Sequence, residues 1–477
     1  MQQLTEILAT INGSFNSYVL VIALVGVGLV LTISLRGMQV RLFGQMLGHV
    51  LHSRAGAEGG ISSFQAFAIG MATRIGIGNI TGVAIALALG GPGAVFWMWL
   101  VASLGMATAF SEATLAQVFK VRWPDGTFRG GPSYYLSRGV GSTAWGKLFA
   151  IALVFAMVIA MPMVQANAIA VNMADHGVPQ WVTGVIIAVL AAAVLFAGVR
   201  GVARTAEILT PIMALVYVII AITVVIANIG AVPGMLADIV RGAFALDTAL
   251  YGTGGGIVAA ILNGAQRGLF SNEAGMGTNP NAAATATVKH PVHQGFIQSF
   301  GVFFDTAFIC TATALIILVS DLYVPGVTDP DAAGNLTSEA VQAQWGSWMA
   351  LPMSIMIFVF GFSSILGAFA YGVAGADFLQ KKPRNHYVLA SLVLVFSVIG
   401  AAQQILTVWI IMDTAMILIT LVNLVGVLVL LPWTRALLAD FESQRAAGIA
   451  EPVFDPSRVD LPRPLTEGPW ADHRLTH

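Results

Sequence analysis

Ala72-Thr73-Arg74-Ile75-Gly76-Ile77-Gly78-Asn79 lies in the middle of an apolar run at residues 61–89. An arginine, an asparagine and two glycines at the centre of a stretch long enough to cross a bilayer decide the fold. Glycine permits a helix to unwind. In hydrocarbon, every backbone N–H and C=O needs a partner, so unwound backbone persists only where it lines a cavity or meets an ion or ligand. The competing reading is that Gly76 and Gly78 merely let helices approach closely. Arg74 and Asn79 favour the functional reading, because polar groups at membrane depth mark sites. A second such stretch, Arg267-Gly268-Leu269-Phe270-Ser271-Asn272-Glu273-Ala274-Gly275-Met276-Gly277, closes the run at 251–275. Its competing reading is a helix that ends early in a loop. Half-helix N-termini offer N–H groups to a carboxylate, and freed carbonyls suit an ammonium or Na⁺. Two broken helices in corresponding halves are the sequence pointer to a transporter site.

The rest of the chain fits a membrane setting. Of its 477 residues 57% are hydrophobic and 9% charged, and the net charge is −1. Soluble domains carry about 25% charged residues, so an ordinary soluble enzyme is excluded. So is a nucleic-acid partner, which needs a basic surplus. The single cysteine, Cys310, permits no internal disulfide. A helix crosses the hydrocarbon core in about 20 residues. Apolar runs of that order lie near 15–36, 61–89, 93–119, 145–172, 181–198, 206–229, 251–275, 291–320, 346–375, 386–402 and 405–432. They do not alternate, so helices are expected rather than barrel strands. The expected class is an all-α polytopic membrane protein with eleven transmembrane helices.

The basic residues agree with that count. Arg36, Arg41, Arg54, Lys120, Arg122, Arg129, Arg138, Lys147, Arg200, Arg204, Lys289, Lys381, Lys382, Arg384, Arg435, Arg445, Arg458, Arg463 and Arg474 all fall on one side of eleven spans. The positive-inside rule makes that side cytoplasmic. The N-terminus is then outside and the C-terminus inside, and the loop at 321–345 with Asp321, Asp329, Asp331 and Glu339 is outside. The polar, proline-rich tail 433–477 reads as a loosely ordered cytoplasmic extension. His290 and His293 read as interfacial residues rather than ligands.

Spans two to six and seven to eleven form two groups of five, each opened by a broken helix. An odd number of crossings inverts the second group, giving a five-plus-five inverted repeat of the LeuT type, with span one as an extra N-terminal helix. The expected divisions are 1–60 for the N-terminal helix and linker, 61–229 and 251–432 for the repeats, and 433–477 for the tail. Span nine contains Phe360-Gly361-Phe362-Ser363-Ser364. Paired hydroxyls commonly bond their own helix backbone. Beside an unwound helix they would instead supply hard oxygen ligands for Na⁺, and neither span two nor span nine offers a buried carboxylate as a proton carrier.

Gly90-Gly91-Pro92-Gly93-Ala94-Val95-Phe96-Trp97-Met98-Trp99-Leu100, with Gly105, closely resembles the signature of the alanine or glycine:cation symporter family (sodium:alanine symporters). Arg74 to Asn79, Arg129-Gly130-Gly131-Pro132 and Leu269 to Gly277 are similar to other stretches of it. The resemblance implies a LeuT-type core and import of small neutral amino acids such as alanine or glycine, with Na⁺ as the coupling ion, across the cytoplasmic (inner) membrane of a bacterium. It implies that N–H groups around Ile77 and Gly78 receive the substrate carboxylate and carbonyls around Phe270 and Ser271 its ammonium. Thr73, Asn79 and Gln165 complete the site. Carbonyls of Ala72 and Ile75, with Phe360 and the hydroxyls of Ser363 and Ser364, would hold the ion. Arg74 would be a structural counter-charge to Glu112 or Glu273. The family commonly has a tryptophan where this chain has Ala368. A wider pocket there would suit a larger neutral amino acid such as glutamine, coupled to Na⁺ or protons. No catalytic constellation and no nucleotide-binding glycine–lysine motif are present, so neither an enzyme nor an ATP-driven pump is expected.

Overall fold

The computed structural model describes residues 17–53, 61–124, 126–244, 256–320, 322–324, 333–380, 386–465 and 467–471. The expectations placed on Arg54, Asp321, Asp329, Asp331, Lys381, Lys382, Arg384 and Arg474 lie outside those residues.

In chain order the helices are α1 (Ser17–Ser34), α2 (Phe43–Leu51), α3 (Ser63–Arg74) and α4 (Gly78–Gly90). There follow α5 (Gly93–Val118), α6 (Thr143–Ala174), α7 (Gln180–Leu195), α8 (Gly198–Ala227), α9 (Val232–Ala243) and α10 (Gly256–Asn272). The last are α11 (Pro291–Leu318), α12 (Ala333–Trp345), α13 (Ala350–Gln380), α14 (Tyr387–Ala401), α15 (Ile405–Val429) and α16 (Leu431–Ala446). Among the described residues, α5, α6, α8, α11, α13 and α15 are long and apolar enough to cross a membrane, as is the α3–α4 pair taken together. Helices α1, α7 and α14 are apolar but shorter. A two-residue antiparallel ribbon, Val121–Arg122 with Phe128–Arg129, links α5 to α6.

The first interruption falls where the glycines stand. Helix α3 begins with a capping box: Ser62 Oγ accepts from Gln65 N–H, and Gln65 Oε1 accepts from Ser62 N–H, both at 3.1 Å. It ends at Arg74, because Ile75 has ψ 82° and cannot continue the α ladder. The chain resumes through a wide π-type turn at Gly78–Gly82, and the two half-helices are bent by 47°. Such turns often mark functional sites.

The second interruption occupies the C-terminal half of its glycine-rich stretch. Residues 267–272 remain helical, and the break begins at Glu273. Three positive φ values carry it: 58° at Glu273, 98° at Gly275 and 74° at Gly277. Gly275 and Gly277 adopt this region without steric cost. Glu273 does not, and its N–H still bonds Leu269 O at 2.8 Å.

Helix α5 is the central element, packed against α10 and α11. Its start is fixed by Gly91 at φ 68° and by Trp97 Nε1–H donating to Ala243 O at 3.2 Å. Trp99 Nε1–H donates to Thr311 Oγ1 at 2.8 Å. These two contacts give the Phe-Trp-Met-Trp signature a packing role.

Three elements correct the sequence reading. Arg200 and Arg204 sit in the first turns of α8 rather than in a loop, because that helix starts at Gly198. The amphipathic helices α2 and α9 lie between the apolar runs. The tail is not loose: α16 continues from α15, Phe454 N–H bonds Lys289 O at 2.9 Å, and Trp470 is buried with its indole N–H donating to Gln117 O at 2.8 Å. His290 is buried within the protein. Its Nδ1 accepts from Val292 N–H at 3.2 Å, and its Nε2 lies 3.0 Å from Asp440 Oδ2 of α16. The His49 ring of α2 packs at 4.6 Å on that of His293.

Candidate functional site

The kink between α3 and α4 frees backbone groups, and side chains from four other helices meet it. Asn79 closes the turn on itself: its Oδ1 accepts the Gly76 N–H at 2.9 Å, and its own N–H donates to Gly76 O at 3.1 Å. Gln165 of α6 accepts the Ile77 N–H through Oε1 at 3.3 Å. Thr73 shares a 2.8 Å hydrogen bond with the Tyr371 hydroxyl of α13. Gly78 lies against Phe270 of α10, where a Cβ would stand 2.7 Å from Phe270 Cδ1. Thr73, Ile77, Gly78, Asn79, Gln165, Phe270 and Ser271 are all buried around one break.

The α10 side supplies carbonyls. A helix leaves its last four C=O groups without intrahelical partners. With α10 ending at Asn272, Phe270 and Ser271 stand in that last turn. Ser271 Oγ is 3.0 Å from Asn79 Nδ2, so the two broken helices touch directly.

The α13 hydroxyls reach the last turn of α3. Ser364 Oγ donates within 3.0 Å of Ala72 O and 3.4 Å of Thr73 O. Ser363 Oγ lies 3.3 Å from Ala72 O. Each hydroxyl is also 3.0 Å from Phe360 O, so the bond to the helix's own backbone coexists with the one across to α3. Two hydroxyls and the carbonyls of Ala72 and Phe360 thus converge, a set of hard oxygen donors suited to an alkali cation. Gly76 packs directly on this pair, and a Cβ there would displace Ser364 Oγ from its present position. Ile75 is buried at the same kink. Ala368, one turn beyond Ser364, is fully buried.

Four features escaped the sequence reading. Asp305, on α11 in a second wide turn at Phe304–Cys310, is fully buried. It accepts from Asn79 Nδ2 at 2.6 Å, Ser271 Oγ at 2.7 Å and Thr306 Oγ1 at 3.2 Å. A carboxylate inside the apolar run 291–320 was the signal that could have found it. Tyr371 touches Thr73 and also accepts from Asn279 Nδ2 at 3.3 Å. Asp377 of α13 is a buried carboxylate, paired with Arg129 at 2.7 Å. Finally, Arg267 and Asp413 form an ion pair at 2.8 Å, with the guanidinium 4.3 Å from the Trp409 ring and that ring 4.7 Å from Phe270.

Arg74 forms no ion pair with Glu112 or Glu273 among the described residues. Its Nη1 donates to Gln298 O at 3.1 Å and Oε1 at 3.4 Å. Glu112 is occupied instead by the N–H groups of Gly275 and Gly277, at 3.2 and 3.1 Å, and by Asn423. Glu273 accepts from Thr278 Oγ1 at 2.7 Å. Arg74 acts on both carboxylates, and on Asp305, only through space.

Comparison with known proteins gives a consistent result. The profile of the sodium:alanine symporter family matches residues 1–456. A "probable sodium/glutamine symporter", GlnT of Bacillus subtilis (strain 168), is 41% identical over 459 residues, covering 95% of this chain and 94% of its own. The "amino-acid carrier protein AlsT" of the same organism is 41% identical over 479 residues, covering 99% of both. The "sodium/alanine symporter AgcS" of Methanococcus maripaludis is 35% identical over 430 residues, covering 88% of this chain and 93% of its own.

Proposed function

The chain belongs to the sodium:alanine symporter family, and from that membership and the geometry of its broken helix we propose that it is a Na⁺-coupled importer of neutral amino acids. The observation that carries the reading is the approach of Ser363 and Ser364 to the Ala72 carbonyl at the kink. Na⁺ held there ties α13 to α3, and the substrate held at the same kink ties α4 to α10. Ion and substrate thereby stabilise one closed arrangement together, which is the thermodynamic content of coupling. Ala72, Ile75, Phe360, Ser363 and Ser364 are the proposed Na⁺ residues. Thr73, Ile77, Gly78, Asn79, Gln165, Phe270, Ser271 and Ala368 are the proposed substrate residues.

The proposed architecture is eleven spans, one N-terminal helix followed by an inverted five-plus-five repeat of LeuT type at 61–229 and 251–432. It sits in a bacterial inner membrane, with the N-terminus outside and the tail 433–477 inside. The end of the bundle carrying Gly90, Gly256 and Ile405 is then the outer one.

Small neutral substrates such as alanine or glycine are the first reading. Ala368, in place of the family's common tryptophan, favours a second, a larger neutral amino acid such as glutamine. Uptake of labelled alanine, glycine and glutamine into proteoliposomes tests both. An inward Na⁺ gradient should drive accumulation, and one charge across 100 mV supplies about 2.3 kcal/mol, more than tenfold at about 1.4 kcal/mol per decade. Uptake that ignores Na⁺ would overturn the coupling.

A further inference from the structure

A groove of about 760 Å³ runs along α8, with α3 and α11 as its other walls. That volume is within the roughly 300–1,000 Å³ range of ligand sites. On α8 it extends from Thr210 to Ile226, about 24 Å at 1.5 Å per residue. That is most of a hydrocarbon core of roughly 30 Å. Helix α8 is long and apolar enough to cross a membrane, yet only 28% of its most apolar window is buried inside the protein. Its groove face therefore meets lipid.

The lining is hydrocarbon. Its polar side chains are Thr210 and Thr311, and both hydroxyls are bonded to backbone, to Ala68 O at 3.3 Å and to Thr306 O at 3.1 Å. Such a wall offers nothing to an amino acid or to ordered water, which need polar partners. It suits a flexible alkyl chain.

Charge at one end identifies the rest of the ligand. Pro211, Ala214 and Val218 lie on the groove face of α8. Arg200, Arg204 and Glu207 continue the same three- and four-residue steps toward the start of the helix, which places them on the same stripe. Glu207 is engaged by the Gln65 amide at 3.0 Å. Arg204 is exposed, about 9 Å along the helix from Thr210. An apolar groove that ends at an arginine on the cytoplasmic side matches a lipid tail joined to a phosphate.

We propose that this groove holds an acyl chain of one anionic phospholipid of the inner leaflet, with its phosphate on Arg204. The chain lies against Met71 and Ile75, in the turn that brings the Ala72 carbonyl to Ser363 and Ser364. It therefore braces the half-helix α3 where the ion is held. The brace rests on the transport reading above; the lipid site rests on the groove and its charge.

The test is native mass spectrometry of the purified full-length protein with phosphatidylglycerol or phosphatidylethanolamine of identical chains, without Na⁺ or amino acid. One phosphatidylglycerol per chain should be retained, roughly 5-fold in preference to phosphatidylethanolamine, the equivalent of about 1 kcal/mol for one arginine at the membrane surface. Ala214→Trp fills the groove and should lose the retained lipid. Should it fail to fold, Ala307→Trp on the α11 wall should give the same loss. Arg204→Gln should retain a lipid without the preference. Wild-type retention in a folded tryptophan variant would overturn the site. Equal retention of both lipids by the wild type would overturn the anionic head. In proteoliposomes containing phosphatidylglycerol, Arg204→Gln should need more Na⁺ than the wild type for half-maximal uptake. An equal requirement would overturn the brace alone. Uptake indifferent to Na⁺ in both would overturn the transport reading and leave the lipid site standing.

Discussion

The Asn79 amide is held in one orientation by the Asp305 carboxylate, 2.6 Å from its Nδ2. That contact leaves Asn79 Oδ1 facing the Gly76 N–H, so a carboxylate on α11 decides how the unwound turn of the first broken helix is closed. Asp305→Asn offers a neutral amide in its place. Hydrogen bonds to charged groups contribute about 1.5–3 kcal/mol, so uptake should fall roughly 10-fold to 100-fold at low substrate. The check is initial uptake rate normalised to inserted protein. Wild-type rates in Asp305→Asn would show that the carboxylate does not organise the turn.

Replacing Ser363 and Ser364 with alanine removes both hydroxyls from Ala72 O and Phe360 O. At about 0.5–1.5 kcal/mol for each hydrogen bond, the Na⁺ concentration for half-maximal uptake should rise by roughly 10-fold or more. Maximal uptake at saturating Na⁺ should change less. An unaltered Na⁺ dependence in a folded double variant would remove these residues from the ion site.

Gly78→Ala places a Cβ 2.7 Å from Phe270 Cδ1. Overpacking of a tight contact costs about 1–3 kcal/mol, and the Phe270 ring is itself packed on Trp409 at 4.7 Å. Affinity for the substrate should drop more than thermal stability does. Calorimetric binding alongside a melting curve separates the two, and equal losses in both would make Gly78 a packing residue only.

Ala368→Trp restores the bulk common in the family. Competition by glutamine against labelled alanine should weaken, while competition by glycine persists. One methylene in an apolar pocket is worth only about 1–3 kcal/mol, so selectivity should narrow by degrees. If the competition profiles coincide, the Tyr371–Thr73 pair rather than Ala368 sets the pocket's size.

Burial pushes the His49 imidazole down to about 4, with Arg445 and His52 adding to the effect. Its value in an unfolded chain is about 6.5. The unfolded state therefore binds the proton first, so stability is full above pH 6.5 and declines as pH falls toward 4. His52, His290, His293, Arg445 and Glu451 all face it. His49→Phe keeps a ring against Phe296 and His293 but cannot charge, and its melting temperature should fall less between pH 7 and pH 5. Identical slopes would contradict a half-buried imidazole that stays neutral.

The apolar runs made the helices legible, since chain in hydrocarbon has no other way to satisfy its backbone. The Gly76–Gly78 break was legible for the same reason. Its partner falls in the second half of the Arg267–Gly277 stretch, because glycine marks where unwinding is permitted and Gly268 stays helical. Glu112 draws the Gly275 and Gly277 N–H groups to itself from another helix, and the break follows them. Asp305, Tyr371 and the Arg267–Asp413 pair are tertiary meetings between residues far apart in sequence. Helices α2 and α9 hid because short amphipathic segments look like polar linkers when only apolar length is counted.

Trp470 seals a relay. Its indole caps Gln117 O, and Gln117 donates to the carbonyls of Ala283 (2.5 Å) and Ala286 (3.1 Å). Ala283 N–H in turn bonds Asn279 O at 3.1 Å, and Asn279 donates to Tyr371, the partner of Thr73. The residue that completes this buttress lies beyond α16, C-terminal to every described helix. Every described helix of the bundle precedes it in the chain, so this bolt on the carrier can be fitted only after those helices have been made.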